Sequence, residues 1–577
     1  MSALRAIPSP EAIVKTPSQL WNPTKLVCAA LAVALVFLVG NPLLRLILIS
    51  FKTPTGAFTF DNYIEIVSRW RYLVGYRNSL VLGFSVASLC LLFGVPMAWG
   101  VSRTDMPGKQ LIQLLVLATF VTPPFLGATS WVLLAGPNAG WLNRAYMAIF
   151  GTQTGLLNIY SFPGLVFVIA IYSFPYTFVF TKAALDLVSS EMEDAANCLG
   201  AGRARATFSI TLPLIRPALL GAWIITFLEA VAIISSSIII ALPANINLVS
   251  LQLWEFFGYP LRVETAAAYA MPLLLVTLGL VLLQRRILGA RGYVALTGKG
   301  GERRLIDLGA WRWLLLAYAG LVLTCSLVLP YLVLLQAAFA KAWAQGLSWH
   351  NLTFANFYFL LFQHSTAKQA ILNTIVYSSA AATLALGLAI SIAYIVSRRL
   401  VRFGNVLGVF AFAPFVIPGM VLAIGFYASY APPPFALAGT AAILVLAFVT
   451  RFLPIAYSNA SAAIRGVNPE MEEAVLILGG SRFVAIRRVV GPLLKRSLLG
   501  AWLLVFIPAC REVSSALFLY GPNTRTMSVL FFDLTEGGSF EQLAALGVIL
   551  LCTTLVFVGV GLKSLGRDFM LRKGGSE

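Results

Sequence analysis

The chain has 577 residues, of which 59% are hydrophobic and only 11% charged, with a mean hydropathy of +0.86. A soluble protein carries roughly 25% charged residues to solvate its surface, so this composition excludes a string of soluble domains and indicates a surface that mostly faces lipid. The formal charge of +19 would suggest nucleic acid in a soluble protein, but here a topological cause makes nucleic-acid binding unnecessary.

A polar tail, 1–25, precedes the first apolar run at 26–50, which starts late and is too long for a cleavable signal. A spanning helix needs about 20 apolar residues. Segments 26–50, 79–101, 111–136, 164–186, 217–242 and 267–288 meet that length, then 313–336, 372–396, 405–430, 437–457, 498–520 and 542–563. The fold expected is an all-α polytopic membrane protein of about 12 transmembrane helices. Helix breakers interrupt two spans, at Thr122-Pro123-Pro124 and Ile417-Pro418-Gly419. Helix bundles tolerate such breaks where neighbours satisfy the freed backbone groups. With both termini placed in the cytoplasm, most of the 41 Lys and Arg residues fall on cytoplasmic segments. Basic residues are retained on that side, which accounts for the positive charge.

The six cysteines (Cys28, Cys90, Cys198, Cys325, Cys510, Cys552) form no CxxC pair, and most lie in apolar runs. They read as small hydrophobes rather than disulfides or ligands. His350 and His364 are too few for a histidine metal site. No metal site and no nucleophile–base constellation is expected, so catalytic residues are none.

Self-comparison shows a tandem repeat. Glu191–Gly200 recurs as Glu470–Gly479, and the match runs at an offset of 279 through Pro213 and Pro492 to Leu-Leu-Gly-Ala-Trp223 and Leu-Leu-Gly-Ala-Trp502. Upstream the offset is 295: Asn78 pairs with Asn373, Val-Ser-Arg103 with Val-Ser-Arg398, and Pro123 with Pro418. The 16-residue difference predicts an insertion in the first half, placed at 137–160. Six spans per half make the two repeats parallel, unlike the inverted repeats of many secondary transporters. The organisation expected is a tail at 1–25, a first half at 26–288 with its core at about 76–287, a linker at 289–312, a second half at 313–566 with its core at about 371–564, and a tail at 567–577.

Each repeated motif falls in a loop between the fourth and fifth spans of its half. Ser190 and Glu193 form a capping box, while Asn468 caps the second copy with Pro469 at the first helical position. Gly200 and Gly479 then let the chain turn or another surface approach closely. The bland alternative, a well-capped interfacial hairpin, does not require shared small residues and glycine at one spacing.

The first copy, Asp194-Ala195-Ala196 followed by Gly200, Ile210, Leu212 and Pro213, resembles the EAA motif of binding-protein-dependent ABC importer permeases. Asp replaces the leading Glu. The second, Glu473-Ala474-Val475 followed by Gly479, Val489, Gly491 and Pro492, keeps Glu, Ala, Gly and Pro. The resemblance implies the type I ABC importer transmembrane fold, as two fused permease domains. It further implies that the loops dock ATPase subunits through Glu193, Asp194, Ala195, Ala196, Gly200 and Pro213, and through Glu472, Glu473, Ala474, Gly479 and Pro492. Two ATP-binding cassette subunits on the cytoplasmic side would hydrolyse ATP with Mg, so this chain would be no enzyme and bind no cofactor itself. The nearest approach to a phosphate loop, Thr297-Gly298-Lys299-Gly300, lacks the required spacing and hydroxyl. An external solute-binding protein is implied as the other partner besides membrane lipid, in the inner membrane.

The layout is similar to the fused permeases of the iron(III) group through Gly136-Pro137-Asn138, Phe227–Ala230, Tyr293–Gly300 and Arg511–Ser515. Importers of thiamine, polyamines and aminoethylphosphonate share it. An ion-coupled secondary transporter is the rival class, but it gives duplicated docking loops no role.

Ionisable residues inside spans are expensive and mark either a transport path or a bundle-locking pair. Glu229 and the pair Arg511-Glu512 lie in the fifth spans, followed by the equivalent pairs Ser235-Ser236 and Ser514-Ser515. In the repeat frame Glu229 corresponds to Pro508, so the glutamates are one helical turn out of register. Both readings, path lining and helix lock, remain open for these residues.

Overall fold

The computed structural model describes residues 23–188, 196, 198–202, 205, 207–289, 305–346 and 348–565. Among them ten helices are long and apolar enough to cross a membrane. The first half supplies Thr24–Ser50, Trp70–Arg103, Phe162–Leu187, Thr207–Ala232 and Val263–Gln284. The second supplies Trp311–Ala338, Ser365–Ser397, Ala441–Arg465, Arg482–Cys510 and Phe540–Gly561.

The predicted spans 111–136 and 405–430 are bent pairs rather than continuous helices. Lys109–Val121 meets Pro124–Ala135 at 98°, and Gly404–Phe415 meets Gly419–Tyr430 at 111°. Proline offers no N–H and drives the residue before it out of the helical region. Thr122 and Pro123, each preceding a proline, accordingly have ψ of 125° and 131°; at the other break Pro418, which precedes Gly419, is extended too, with ψ of 140°.

Each bent pair still crosses the membrane. Arg103, ending the second span, donates to the carbonyls of Leu185 (2.8 Å) and Val188 (2.6 Å) at the end of the fourth. Arg398 likewise reaches Val467 (3.0 Å) beyond the end of Ala441–Arg465. The second and fourth spans of each half therefore run in the same direction, so the pair between them must return the chain to the opposite face. Twelve crossings follow, six per half.

Lipid is as apolar as leucine, so helices in a bundle associate through close packing of small residues. Ser365–Ser397 buries Ala367, Ala370, Ala381, Ala385, Ala389 and Ala393 completely and packs on Ala441–Arg465. Trp70–Arg103 and Phe162–Leu187 repeat this pairing in the first half. The halves interlock: Asn41–Ser50 lies against Gly419–Tyr430 of the second half, and Leu329–Ala338 against Pro124–Ala135 of the first.

The repeat markers have shared structural tasks. Asn78 Nδ2 donates to the Asn247 carbonyl (3.0 Å), and Asn373 Nδ2 to those of Asn523 (3.1 Å) and Arg525 (2.9 Å). The hydroxyls of Ser79 and Thr374 accept from the amides of Val249 (2.9 Å) and Met527 (2.8 Å), each opening a short helix. The insertion lies where expected and contains the helix Trp141–Phe150. Fully buried Asn143 ties it down, donating to the carbonyls of Gly136 (2.9 Å) and Leu157 (2.7 Å).

The end of the linker is clipped to the first half. Ile306 bonds in register with Thr104, the Leu308 amide donates to Asp105 Oδ1 (3.0 Å), and Arg312 lies 3.3 Å from Asp105 Oδ2. The bond from the Leu308 amide, aided by Arg312, holds the Asp105 carboxyl below its ordinary range. A depressed carboxyl stabilises the fold above the unfolded-state value and loses that contribution as pH falls through the folded one. Hydrogen exchange corrected for intrinsic rates should show Leu308 deprotected in Asp105→Ala, which removes the acceptor, at neutral pH. In the native chain the same loss is expected only on acidification below the usual carboxylate range. Equal protection of Leu308 in the variant would refute the clip.

Candidate functional site

The fifth spans do not extend as the hydropathy suggested. Predicted at 217–242 and 498–520, they end at Ala232 and Cys510, in the middle of apolar sequence. Ile233 is already extended (ψ 121°), and Pro508 sits in the last turn of the second. Glu229 therefore occupies a final helical turn, whereas Arg511 and Glu512 lie in the unwound segment beyond one.

These breaks meet those of the bent pairs. Ser236 Oγ contacts the Pro124 carbonyl at 3.4 Å, and a Cβ added to Gly419, the residue equivalent to Pro124, would stand 3.0 Å from Ser514. Four interruptions thus collect inside the bundle, where unwound backbone is tolerated when protein or a cavity supplies partners. Of the predicted serines, Ser235 and Ser236 are buried, and Ser515 is fully so.

Arginines satisfy the carbonyls freed at both breaks. Arg511 reaches across to the first half, donating to Phe120 (2.6 Å) and more weakly towards Thr122 (3.4 Å), with its guanidinium 5.5 Å from the Phe120 ring centre. Arg451 donates to the Ile417 carbonyl at 2.7 Å. Thr122 and Ile417 are equivalent positions in the repeat, so one carbonyl site is held by arginine in each half. The arginines themselves come from different spans.

The hydrogen bonds of Arg511 thus go to the other half rather than to its sequence neighbour Glu512. Glu512 Oε1 instead accepts from the amide (2.9 Å) and hydroxyl (3.2 Å) of Ser515, starting the next short helix. Arg451 sits within Ala441–Arg465, beside Gly419 and near Glu512. Glu229 faces Tyr176 and Ser173 of the fourth span, with the charges of Arg511 and Arg451 nearby, and its Oε2 is buried without a hydrogen-bond partner. Two arginines now balance two glutamates, so the cluster is formally neutral rather than acidic. Arg451, Tyr176 and Ser173 were missed, although an arginine midway along an apolar run was a legible signal.

The second functional region is the pair of loops. Glu193, Asp194 and Ala195 lie outside the described residues, as does the Ser190 capping box. Ala196 and Gly200 are described, and Pro213 and Pro492 open the fifth-span helices. The second loop helix spans Glu470–Ile477, and Asn468 Oδ1 accepts from the Glu470 amide at 3.1 Å.

Both loops end alike. Gly480 N–H donates to Val475 (2.9 Å) and Gly479 N–H to Leu476 (3.0 Å), while Ala201 N–H donates to Ala196 (2.9 Å). These are Schellman caps, and Gly200 and Gly479 have φ of +82° and +80°. The left-handed backbone is what requires glycine there. A Cβ at either position would meet nothing within 4 Å, so close approach is no constraint within this chain.

The caps present Leu199, Ile477 and Leu478 at 86–88% exposure. Glu470, Glu473 and Ala474 are exposed as well. Glu472 differs from its expected docking role because it is buried. Its Oε1 pairs with Arg398 Nη2 at 2.6 Å and its Oε2 accepts from the Tyr394 hydroxyl at 2.8 Å. It fastens the loop to the second span instead of facing outward.

These geometries separate strain from bulk at the glycines. A side chain in left-handed helical conformation costs about 1–2 kcal/mol, with Asn tolerated best. If the loops dock ATPase subunits as the motif implies, Gly200→Asn with Gly479→Asn should leave the ratio of uptake to ATP hydrolysis near normal, while the corresponding double tryptophan variant should uncouple it. Equal coupling in both variants would show that nothing docks at these turns.

Residues 79–290 match the family described as the inner membrane component of binding-protein-dependent transport systems. Over 516 residues the chain is 25% identical to the ferric transport system permease protein FbpB of Actinobacillus pleuropneumoniae, covering 89% of this chain and 74% of that relative. It is 28% identical over 216 residues to the molybdate/tungstate transport system permease protein WtpB of Thermococcus kodakarensis, covering 37% of this chain and 78% of that one. The first relation extends over both halves, and the second matches a permease of about half the length. With its twelve crossings and repeated loops, the chain is a multi-pass inner membrane protein, a fused two-domain permease subunit of a binding-protein-dependent ABC importer.

Proposed function

We propose that this subunit moves iron(III), delivered by an external solute-binding protein, along the interface where the four helix breaks meet. Two ATP-binding cassette subunits drive it by docking on the loops that turn at Gly200 and Gly479. Both termini then lie in the cytoplasm. The observation that carries the coupling role is the matched pair of Schellman-capped turns, each displaying exposed aliphatic side chains and each following a fourth span whose end is tied to the second span through Arg103 or Arg398. A loop fastened in this way passes a push from a docked subunit directly into the bundle.

Iron as cargo is supported by the ferric permease relative that spans both halves. Among the described residues, no three His, Cys, Asp or Glu side chains gather as a metal cage. A pathway that releases what it receives needs no such cage. The same layout serves thiamine, polyamine or aminoethylphosphonate if the partner binding protein carries one of those.

The test is reconstitution in proteoliposomes with the cassette subunits and the binding protein. ATP-dependent uptake of iron(III) is expected, with one copy of this chain and two cassette subunits per channel. Uptake driven by an ion gradient without ATP would overturn the importer reading. ATP-dependent uptake of a different solute would overturn iron alone.

A further inference from the structure

The two arginines at the central breaks differ in what they join. Arg451 reaches the Ile417 carbonyl within its own half (2.7 Å), whereas Arg511 crosses from the second half to the Phe120 carbonyl of the first (2.6 Å). In the repeat frame Arg451 corresponds to Tyr172, and Arg511 to Ala232. The Tyr172 hydroxyl is buried without a hydrogen-bond partner, so it does not serve the first break as Arg451 serves the second. The first break takes its arginine from the other half.

Arg511 also ends a string of contacts across the interface. Its guanidinium lies 5.5 Å from the centre of the Phe120 ring. That ring meets Tyr176 edge-on, with centres 5.0 Å apart, and Tyr176 faces Glu229. The fifth span of one half is thereby linked to the fifth span of the other through side chains gathered at the breaks. Arg511 and Phe120 are both partly exposed, and an ionisable group at that depth faces the bundle interior or a water-filled cavity.

We propose that Arg511 is the latch of the translocation path: bound to Phe120 it seals the halves together at the breaks, and each transport cycle opens it. This inference rests on the path proposed above. A solute passing between the halves must part Arg511 from Phe120, whereas the Arg451 bond lies within one half and survives the same motion. Opening deprives the Phe120 carbonyl of its charged donor. Backbone groups left unmet inside a membrane are costly, so the path closes again once the solute has passed.

Charge and latch can be told apart. Without Arg511, Glu229 and Glu512 face Arg451 alone, so a path opened this way favours cations. Arg451→Met changes the charge by the same amount but cuts no bond between the halves.

The test is passive leak from proteoliposomes holding the chain with its cassette subunits, without ATP and without the binding protein. Vesicles loaded with KCl are diluted into potassium-free buffer of equal osmolarity, with a protonophore to balance charge, and released K+ and chloride are followed by electrode. The native complex should stay tight. Arg511→Met should release K+ faster by about tenfold or more, as loss of a hydrogen bond to a charged group from the closed state implies, and K+ should outrun chloride. Arg451→Met should stay near the native rate.

Native tightness in Arg511→Met overturns the latch, and so does an equal leak from Arg451→Met. Equal release of K+ and chloride, the mark of a damaged bilayer, overturns it too. Should Arg511→Met not purify as a folded complex, Phe120→Leu decides, because it removes the ring beside the guanidinium and keeps the carbonyl. A several-fold leak is then expected, and native tightness overturns the proposal. ATP-dependent uptake by the native complex is scored separately. Leak without such uptake would count against the importer reading alone, and uptake with no leak in the variants against the latch alone.

Discussion

Glu472→Gln is expected to loosen the second docking loop and impair transport more than any change on that loop's exposed face. The carboxylate and Arg398 have side chains only 9% and 11% exposed and sit 2.6 Å apart. Removing one member of a buried pair strands the other charge, at a cost of about 3–5 kcal/mol. Arg398 keeps its bond to Val467, which places the expected loss near the lower end, about 3 kcal/mol. Hydrogen exchange over Glu470–Ile477 should rise accordingly. On the docking role proposed above, ATP hydrolysis by the cassette subunits should continue while uptake falls, because the loop no longer moves with the span. Arg398→Met should act similarly, and combining it with Glu472→Gln should recover much of the loop's protection, since no unpaired charge remains. Additive losses in the double variant would show that the pair is not coupled, and a fully active Glu472→Gln protein would remove the loop from force transmission.

This lock was not legible in the sequence, although both of its parts were. Val-Ser-Arg103 and Val-Ser-Arg398 stood out as repeat markers, and the glutamates stood out within the motif. Nothing in the spacing says that residues 398 and 472 meet, because a contact across 74 positions depends on how two spans pack. Local and periodic features transferred well: the apolar runs, the duplication, the insertion at 137–160 and the glycine turns. Helix ends inside the membrane did not transfer, since hydropathy registers Ile233 and Ile234 identically in a helix or an extended segment. Only Pro508 and the charged pair after it hinted at the break. The sequence also suggested that Gly200 and Gly479 serve either turning or close approach, and the positive φ with open space beyond selects turning.

Glu229→Gln separates the two roles left open for the central cluster, and the sign of its effect reports the charge of the solute. With Arg511 and Arg451 opposed by Glu229 and Glu512, the native cluster is formally neutral. Glutamine preserves the shape and an acceptor for Tyr176 and Ser173, but leaves one positive charge uncompensated. At a distance of roughly 7 Å and an effective dielectric of about 20, that charge opposes each positive unit on a passing solute by about 2 kcal/mol. If Glu229 lines the path, uptake of a cation such as iron(III) should fall by tens-fold or more, with normal protein levels and normal recruitment of the ATPase subunits. An anionic solute should be spared or accelerated. If Glu229 is instead a helix lock, the variant should lose thermal stability and assembly equally for every solute. Glu512→Gln is the internal control, because its carboxylate already accepts two bonds from Ser515 and should act mainly on stability. Should both substitutions together leave uptake unchanged, the path does not pass these glutamates. The arginines would then remain as clamps on the broken spans, with Arg511 holding the first half through Phe120 and Arg451 holding the second through Ile417.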